Sequence, residues 1–363
     1  MELIKGDVGN NVSRNEKEFL QSSLETRAIP TPKLLIKDHK RADTMGEFPT
    51  RLVVPATNFT AAFPKAGYLG IKNILDKNGI EYTKSTITQA SQLKSKLETL
   101  HIRRDEATIV SFDAVEMYPS IKYKLVRRAV MYFARDLCLD TKEKIELCLK
   151  MIKFGMGNTL LTFMDKYYEY GGDEDVEERG LTIGGYESAW LADLVAAFLL
   201  ENAVAQFKNT RFKGIYRDDG FIVFEGELKK KDVANWLDKF QARVDELAGS
   251  NFLNFTAEVW GADKDDGTLH KAVSVNKGES FPYLDMEMYW SVDNQLFFKV
   301  HLKPNQQLKY LNRGSTHTEA CFKSIPSGVL KRLASLTTRT EDSESKHLDE
   351  LYPLHAGALR IAK

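Results

Sequence analysis

The chain has 363 residues, of which 43% are apolar and 28% charged, the composition of an ordinary globular protein with room for about two or three domains. Its 51 basic and 51 acidic residues cancel, so no global positive field indicates nucleic-acid binding and any basic surface must be local. Three scattered cysteines without a Cys-x-x-Cys spacing favour reduced thiols in an intracellular compartment over disulfides or a zinc site. We expect no signal peptide and no membrane span, because the longest apolar run, 190–205, contains Asp193 and Glu201.

Near the N-terminus, residues 29–41 and 49–55 predict two short strands joined by a loop. They carry the cations Lys37, Lys40 and Arg51, which could close over a polyphosphate, with Arg binding bidentately and Lys acting as a point charge. Cations on such a hairpin are also typical of a solvated surface.

Residues 64–100 have the pattern of mixed-charge helices, and a near-continuous apolar strand follows at 108–113. The strand ends in Asp113, and an isolated carboxylate is costly to bury, so this position favours a functional group. Tyr118, five residues later, is either a core tyrosine or a ring that lies beneath an incoming sugar.

The middle of the chain predicts packing helices at 122–137 and 142–155, an aromatic strand-like segment at 159–170 and an exposed acidic loop at 173–178. A glycine-rich loop at 180–185 then opens an apolar helix. Such a loop lets the backbone approach a ligand closely, although by itself it is a weak signal.

Residues 211–224 read as a strand, a tight turn and a second strand, with Asp218 and Asp219 adjacent between them. We expect Asp219-Gly220 to form the turn, because glycine accepts a positive φ. Two neighbouring carboxylates beside buried strands need a neutralising cation, and a divalent metal is the usual one. The alternative is an ordinary solvated Asp-Asp-Gly turn.

The last third predicts a helix at 231–248, a strand at 254–260 and a hairpin formed by 281–290 and 296–302. Beyond it lies a local basic zone that suits a phosphate backbone and is opposed only by Glu319. Its members are Lys299, Lys303, Lys309, Arg313, Lys323, Lys331, Arg332 and Arg339.

Asp113 and Asp218 together suggest two-metal phosphoryl transfer, in which two Mg²⁺ ions roughly 4 Å apart activate a 3′-hydroxyl and stabilise the leaving pyrophosphate. Mg²⁺ prefers a few carboxylates plus substrate phosphates to a full protein cage, so two or three strand-borne aspartates suffice.

These segments, in this order, resemble motifs A, B and C of reverse transcriptases: Phe112-Asp113 with Tyr118, then 180–192, then Tyr216-Arg217-Asp218-Asp219. The flanks are most similar to the Penelope-like retroelement family. Residues 35–40 resemble its Leu-Pro-Lys-x-His-Lys, and 51–54 its Arg-Pro-Ile-Val. The segments 281–285, 303–304 and 310–317 resemble the region after its palm. The resemblance covers roughly residues 30 to 340.

The resemblance implies an α+β right-hand polymerase with fingers, a palm built on an antiparallel sheet of ferredoxin-like type, and a helical thumb. We expect fingers in 1–104, the palm with inserted finger helices in 105–290, and the second primer-grip strand with a basic thumb in 291–363. The implied activity is that of a retroelement-derived, retrotransposon-type reverse transcriptase, an RNA-directed DNA polymerase and hence a nucleotidyltransferase.

The family's site residues carry over by position. Metal would be held by Asp113, Asp218 and Asp219 with Ala114 beside them, and the aspartates are the catalytic residues. The dNTP would contact Lys37, Arg51, Tyr118, Gly184 and Gly185. The primer–template would contact Tyr283, Leu284, Lys303 and Arg313. Tyr118 would be the steric gate against a ribose 2′-hydroxyl.

The implied cofactor is a pair of Mg²⁺ ions, with Mn²⁺ as the alternative ion, and the implied partners are an RNA template and a DNA primer. We expect no membrane partner and no fused endonuclease after the thumb; the resemblance suggests the nucleus as the compartment, and the oligomeric state stays open.

The chain departs from the family in motif B, where Gly184-Gly185-Tyr186 replaces Gly-Ser-Pro, and in motif C, where Arg217 replaces smaller or apolar residues. The family's upstream Gln has no clear counterpart. Two alternatives remain: an RNA-templated RNA polymerase or a reverse transcriptase of another lineage, and a domesticated, non-catalytic protein that uses the same fold to bind nucleic acid or a partner.

Overall fold

A computed structural model describes residues 14–25, 29–36, 49–204, 207, 209–249, 251–301 and 315–338. The helices are α1 (Arg14–Glu25), α2 (Ala62–Lys77), α3 (Ala90–Thr99), α4 (Met117–Ser120), α5 (Tyr123–Phe133), α6 (Leu139–Gly157), α7 (Ser188–Val204), α8 (Lys230–Ala248) and α9 (Glu319–Leu336). The strands are β1 (Lys33–Ile36), β2 (Thr50–Val53), β3 (Ala107–Val115), β4 (Leu160–Phe163), β5 (Lys166–Glu169), β6 (Thr210–Tyr216), β7 (Asp219–Glu225), β8 (Asn254–Trp260), β9 (Val273–Asn276), β10 (Ser280–Tyr283), β11 (Met286–Trp290) and β12 (Leu296–Val300).

A five-stranded sheet in the order β6-β7-β3-β8-β9 forms the centre of the chain. β3 lies in the middle and pairs antiparallel with both β7 and β8, and β9 adds a parallel edge strand. The apolar run that predicted a buried strand at 108–113 therefore sits where both faces of the sheet are covered over most of its length.

The two faces of this sheet carry different layers because successive side chains of a strand alternate. One face, which includes Val110 and Phe112, packs with α5, α7 and α8 in the largest core cluster. The other face, which includes Ile109 and Phe221, packs against a second sheet of order β10-β11-β12. Helices on one face and a small sheet on the other confirm the predicted α+β class.

The run predicted as a buried apolar helix forms α7, which has twelve buried residues. Among the residues described here, no helix is both long and apolar enough to cross a membrane. Asp193 is a half-buried carboxylate on this otherwise buried helix, which makes its surroundings important for the site described below.

The structure confirms the two strands predicted near the N-terminus. β1 and β2 pair antiparallel, with Leu35 opposite Arg51. The chain after β2 is attached to the glycine-rich loop, since Val54 N donates to Ile183 O at 2.8 Å. The loop with Lys37 and Lys40 lies outside the described residues.

Three segments differ from the sequence predictions in detail. Residues 64–100 form two helices, α2 and α3, with non-helical chain at 78–89 between them. The aromatic segment at 159–170 is the two-stranded hairpin β4–β5. Residues 281–290 break into β10 and β11 at a turn where Leu284 has φ 53°, so this region is a three-stranded sheet and not a simple hairpin.

The predicted turn at Asp219-Gly220 is wrong. The turn residues are Arg217 and Asp218, because Tyr216 pairs with Asp219, and Arg217 carries the positive φ of 57°. Gly220 lies inside β7, opposite Phe112 on β3. A Cβ at Gly220 would overlap the Phe112 ring, so this glycine is needed for close packing and not for a turn.

We predict that Gly220→Ala destabilises the fold by about 1–3 kcal/mol, because the added methyl group must displace a ring that packs against Trp236, Phe240 and Phe255. Denaturant unfolding measures the change. Gly328→Ala is the control: no atom lies within 4 Å of the added Cβ on α9, so we expect this helix substitution to be neutral or slightly stabilising. Equal stability of the two variants would contradict the packing role.

Candidate active site

The catalytic aspartates predicted from sequence meet at one end of the central sheet. Asp113 on β3 and Asp219 on β7 are direct cross-strand partners. Ala114 N donates to Asp218 O at 3.1 Å, which fixes the turn against β3. Side chains of directly paired residues lie on the same face with Cβ atoms about 4.5–5.5 Å apart, so the two carboxylates share one surface.

This surface is open where the rest of the sheet is covered. Asp113 is exposed between the buried residues Phe112 and Ala114, and Asp218 and Asp219 are half-buried. On the far side of β3, Thr256 of β8 pairs with Asp113 and is exposed as well. Thr256, Asp113 and Asp219 therefore form a polar row across β8, β3 and β7. The row lies at the end of the central sheet that β10–β12 do not cover.

Tyr283 supports this row from beneath. Its side chain is only 5% exposed, its ring packs on Phe221 with centroids 4.9 Å apart, and its hydroxyl donates to Asp219 O at 2.8 Å. Burial and the charges of Asp219, Asp218 and Asp113 raise its pKa well above the usual value, so it stays a neutral donor. The predicted primer contact by Tyr283 stays a prediction, and the structure gives this side chain a supporting position under Asp219.

The described residues contain no group of three or more His, Cys, Asp or Glu that could hold a metal ion by themselves. The donors at the end of β3 and β7 are nevertheless carboxylate oxygens on facing strands, the ligand type that Mg²⁺ prefers. Because Mg²⁺ retains water and substrate-phosphate ligands, this partial oxygen set fits an ion that binds together with substrate.

Tyr118 lies beside these carboxylates, where three elements meet. It is on the four-residue helix α4, directly after Glu116, whose φ of 47° turns the chain sharply out of β3. Burial and the charges of Asp193 and Asp218 raise the pKa of Tyr118, and the charge of Arg217 and hydrogen bonding to it oppose that rise. The predicted gate residue is thus close to the β6–β7 turn that carries Asp218.

Asp193 was not singled out as a site residue from sequence. Burial raises its pKa to about 6; Arg217 opposes that rise, whereas Asp218 adds to it. Its Oδ1 atom is buried and has no hydrogen-bond partner among the residues described. The signal that could have found it is a carboxylate in the otherwise apolar first half of a helix.

The glycine-rich loop forms a wall beside Tyr118, whose carbonyl accepts a hydrogen bond from Leu181 N at 3.0 Å. A Cβ at Gly180 would overlap the backbone of Pro119, so only glycine allows this approach. Gly184, at φ 114°, likewise passes against the Val54 carbonyl. Gly180 and Gly184 thus join the loop to α4 and to the end of β2. The dNTP contacts predicted for Gly184 and Gly185 stay predictions.

Several predicted substrate contacts lie outside the described residues, namely Lys37, Lys303 and Arg313. Arg51 is described and is exposed on β2. Leu284 forms the turn between β10 and β11.

A cleft of about 510 Å³ separates the end of β7 from α9, with Asp219, Leu284, Asp285 and Arg332 in its lining. Across it, Arg332 Nη2 lies 3.1 Å from Asp285 Oδ1. Lys299 is paired with Glu287 at 3.7 Å. The prediction that Glu319 alone opposes the basic zone is therefore wrong. Asp285 and Glu287 precede this zone in the sequence, and the fold brings them next to its cations.

The chain matches no protein-family model and no curated protein. Among solved structures it is similar to telomerase from Candida albicans in complex with a TWJ fragment of telomeric RNA (TM-score 0.51, 10% identity, covering 94% of this chain and 59% of that one). Weaker similarity links it to apo telomerase from Candida tropicalis (TM-score 0.48, 10% identity, 76% and 55% covered). The BmCPV RNA-dependent RNA polymerase is also similar (TM-score 0.44, 13% identity, 76% and 23% covered).

The chain spans between about a quarter and three fifths of the length of these proteins. At such identities the similarity concerns the fold alone. The central sheet is covered by helices on one face and has aspartates at its open end. This arrangement and the similarity to the Candida albicans telomerase show that the chain has the right-hand polymerase fold.

Proposed function

We propose that this chain is an RNA-directed DNA polymerase that extends a primer 3′-hydroxyl with dNTPs. The observation that carries the proposal is the pairing of Asp113 with Asp219 at the open end of a polymerase-type sheet. Tyr216 to Asp219 form the turn that brings Asp218 to the same place. The motif resemblance to Penelope-like reverse transcriptases supports the choice of DNA synthesis on an RNA template.

In this proposal Asp113, Asp218 and Asp219 hold two divalent ions, Mg²⁺ or alternatively Mn²⁺. When bound, these ions would lower the pKa of the primer 3′-hydroxyl and stabilise the charge of the leaving pyrophosphate. The residues of the chain position the carboxylates. The β3–β7 pairing sets the spacing of the carboxylates, and the Tyr283 hydroxyl holds the backbone of Asp219.

The groups that surround the carboxylates indicate which substrates this site would bind. Exposed Arg51 on β2 suits a triphosphate, and half-buried Tyr118 lies where it could exclude a 2′-hydroxyl. The cleft between the end of β7 and α9 suits the primer end, with Leu284 in its lining. The telomerase from Candida albicans was solved with an RNA fragment, which supports an RNA template here.

The scattered free cysteines suit a reducing compartment.

We predict that Asp113→Asn and Asp219→Asn each reduce primer extension on poly(rA)/oligo(dT) with Mg²⁺ by at least about a thousandfold. Each substitution removes a charge that holds the ions. The free energy of unfolding should not fall, since a neutral side chain relieves repulsion between neighbouring carboxylates.

Asp293→Asn, on the exposed turn between β11 and β12, is the matched control and should extend primers like the unmodified protein. Extension at the unmodified rate by Asp113→Asn would contradict the assignment. If the unmodified protein binds primer–template but never extends it, the chain is instead a non-catalytic binding protein.

A second prediction concerns the sugar. Tyr118→Ala should lower the ratio of kcat/KM for dNTP over NTP, because discrimination against the 2′-hydroxyl is mainly steric. Tyr118→Phe keeps the ring and should keep most of the discrimination. A ratio that Tyr118→Ala leaves unchanged would make this residue a core tyrosine, and a preference for NTPs in the unmodified protein would favour an RNA-templated RNA polymerase.

A third prediction concerns α9, on which Lys323 and Lys331 are exposed. If they contact duplex phosphates, replacing each by Ala should weaken primer–template binding and reduce the slope of log K against log salt by about 0.9 per contact. Template sequence preference should not change, because phosphate contacts do not read bases. Arg127, paired with Glu146 at 2.6 Å on α5, is the control. Loss of slope in Arg127→Ala but not in the α9 variants would place the duplex elsewhere.

A further inference from the structure

A buried carboxylate lies where the glycine-rich loop meets the start of α7. Glu187, the residue before this helix, is 6% exposed, and the neighbouring polar residues Thr182 and Ser188 are buried as well. Among the residues that the structure describes, no lysine, arginine or histidine forms an ion pair with Glu187, whose side chain accepts a hydrogen bond from Ser188 Oγ. An ionised carboxylate is costly to bury without a compensating charge, so this site lacks a cation.

Three side-chain oxygens converge beside Gly185. A Cβ atom added to Gly185 would lie 2.5 Å from Ser188 Oγ, 2.7 Å from Glu187 Oε1 and 2.9 Å from Thr182 Oγ1. Ser188 Oγ and Glu187 Oε1 are 3.3 Å apart, which is longer than the about 2.5–3.0 Å of an ordinary O–H···O hydrogen bond. The missing side chain of Gly185 therefore leaves a space that one carboxylate oxygen and two hydroxyl oxygens face.

Gly185, Glu187 and Thr182 also line a cavity of about 30 Å³. The rest of its lining comes from residues 54–64, after β2, and from residues 155–159, around the end of α6. A cavity of this volume has room for a particle of the size of a water molecule, and a dehydrated K⁺ ion is of similar size. The cavity thus lies at the joint between the glycine-rich loop and two other parts of the chain.

The charge of this joint suits a singly charged ion. The N-terminus of α7 acts as about half a positive charge and offsets part of the Glu187 charge, so a monovalent cation matches the remainder better than a divalent one. Mg²⁺ also keeps several water ligands in an octahedron, for which this cavity is too small. Burial raises the pKa of Glu187, so a bound cation would compete with a proton.

We propose that Glu187, Ser188 and Thr182 bind an alkali cation, K⁺ or Na⁺, in this cavity. The cation neutralises the buried carboxylate and holds the glycine-rich loop against the segment after β2. This loop also contacts α4, where Leu181 N donates to Tyr118 O. The cation site contains none of the catalytic aspartates, and the inference goes beyond the proposed polymerase function without depending on it.

Two other occupants of the cavity predict a different behaviour. A water molecule would bridge the three oxygens without neutralising Glu187, and a proton on Glu187 would remove the need for a cation. With either occupant, the stability of the protein should not depend on which monovalent cation the buffer contains.

The test measures the melting temperature at equal ionic strength in KCl, NaCl and N-methylglucamine chloride, whose organic cation is too large for the cavity. We expect KCl or NaCl to raise the melting temperature of the unmodified protein by about 2–4 °C over N-methylglucamine chloride, and the more stabilising salt identifies the ion. Glu187→Gln should lose this difference and Thr182→Val should reduce it. Each variant is compared with itself across the salts, so a lower overall stability does not affect the result.

Glu279→Gln removes an exposed carboxylate and is the matched control, which should keep the full difference between the salts. If K⁺ is the stabilising ion, crystals in which Tl⁺ replaces K⁺ should show an anomalous peak in contact with Glu187 Oε1. Equal melting temperatures in the three salts, an undiminished difference in Glu187→Gln, or stabilisation by K⁺ without a Tl⁺ peak in the cavity overturns the proposal. None of these measurements requires primer extension, so their failure is distinct from a failure of the polymerase function.

Discussion

The pairing of β3 with β7 is the constraint on which the site depends. Side chains alternate along a strand, so a register slip of one residue would turn Asp113 toward the helix-covered face and away from Asp219. The register is held by Phe112 packed into the space above Gly220 and by the bond from Ala114 N to Asp218 O. The apolar core and the polar site are therefore specified by the same pair of strands.

Placing these carboxylates close together costs electrostatic free energy, and residues with strained backbone conformations lie close to them. Three non-glycine residues with positive φ, Glu116, Arg217 and Leu284, lie in turns beside the aspartates. Such strain persists only where the surrounding structure enforces it, and here the buried sheet on one side and α7 on the other do so. The cleft lined by Asp219 and Leu284 is thus formed by turns that the core holds in place.

Much of this arrangement could be predicted from the sequence. An apolar strand that ends in Asp113 and a hairpin with adjacent aspartates are local patterns, and burial makes their charges informative. The role of Gly220 could not be predicted, because it depends on a ring from a strand more than a hundred residues away. The pairing of Arg332 with Asp285 is likewise a contact between distant segments, which no local pattern encodes.

We propose that these aspartates serve template-directed DNA synthesis. The most direct measurement supplies each of the four dNTPs singly to the unmodified protein on RNA templates that differ only in the next base. We expect the primer to gain the complementary nucleotide alone, and the accepted nucleotide to change whenever the template base is changed. Addition that ignores the template base, or no addition on any template, would contradict it.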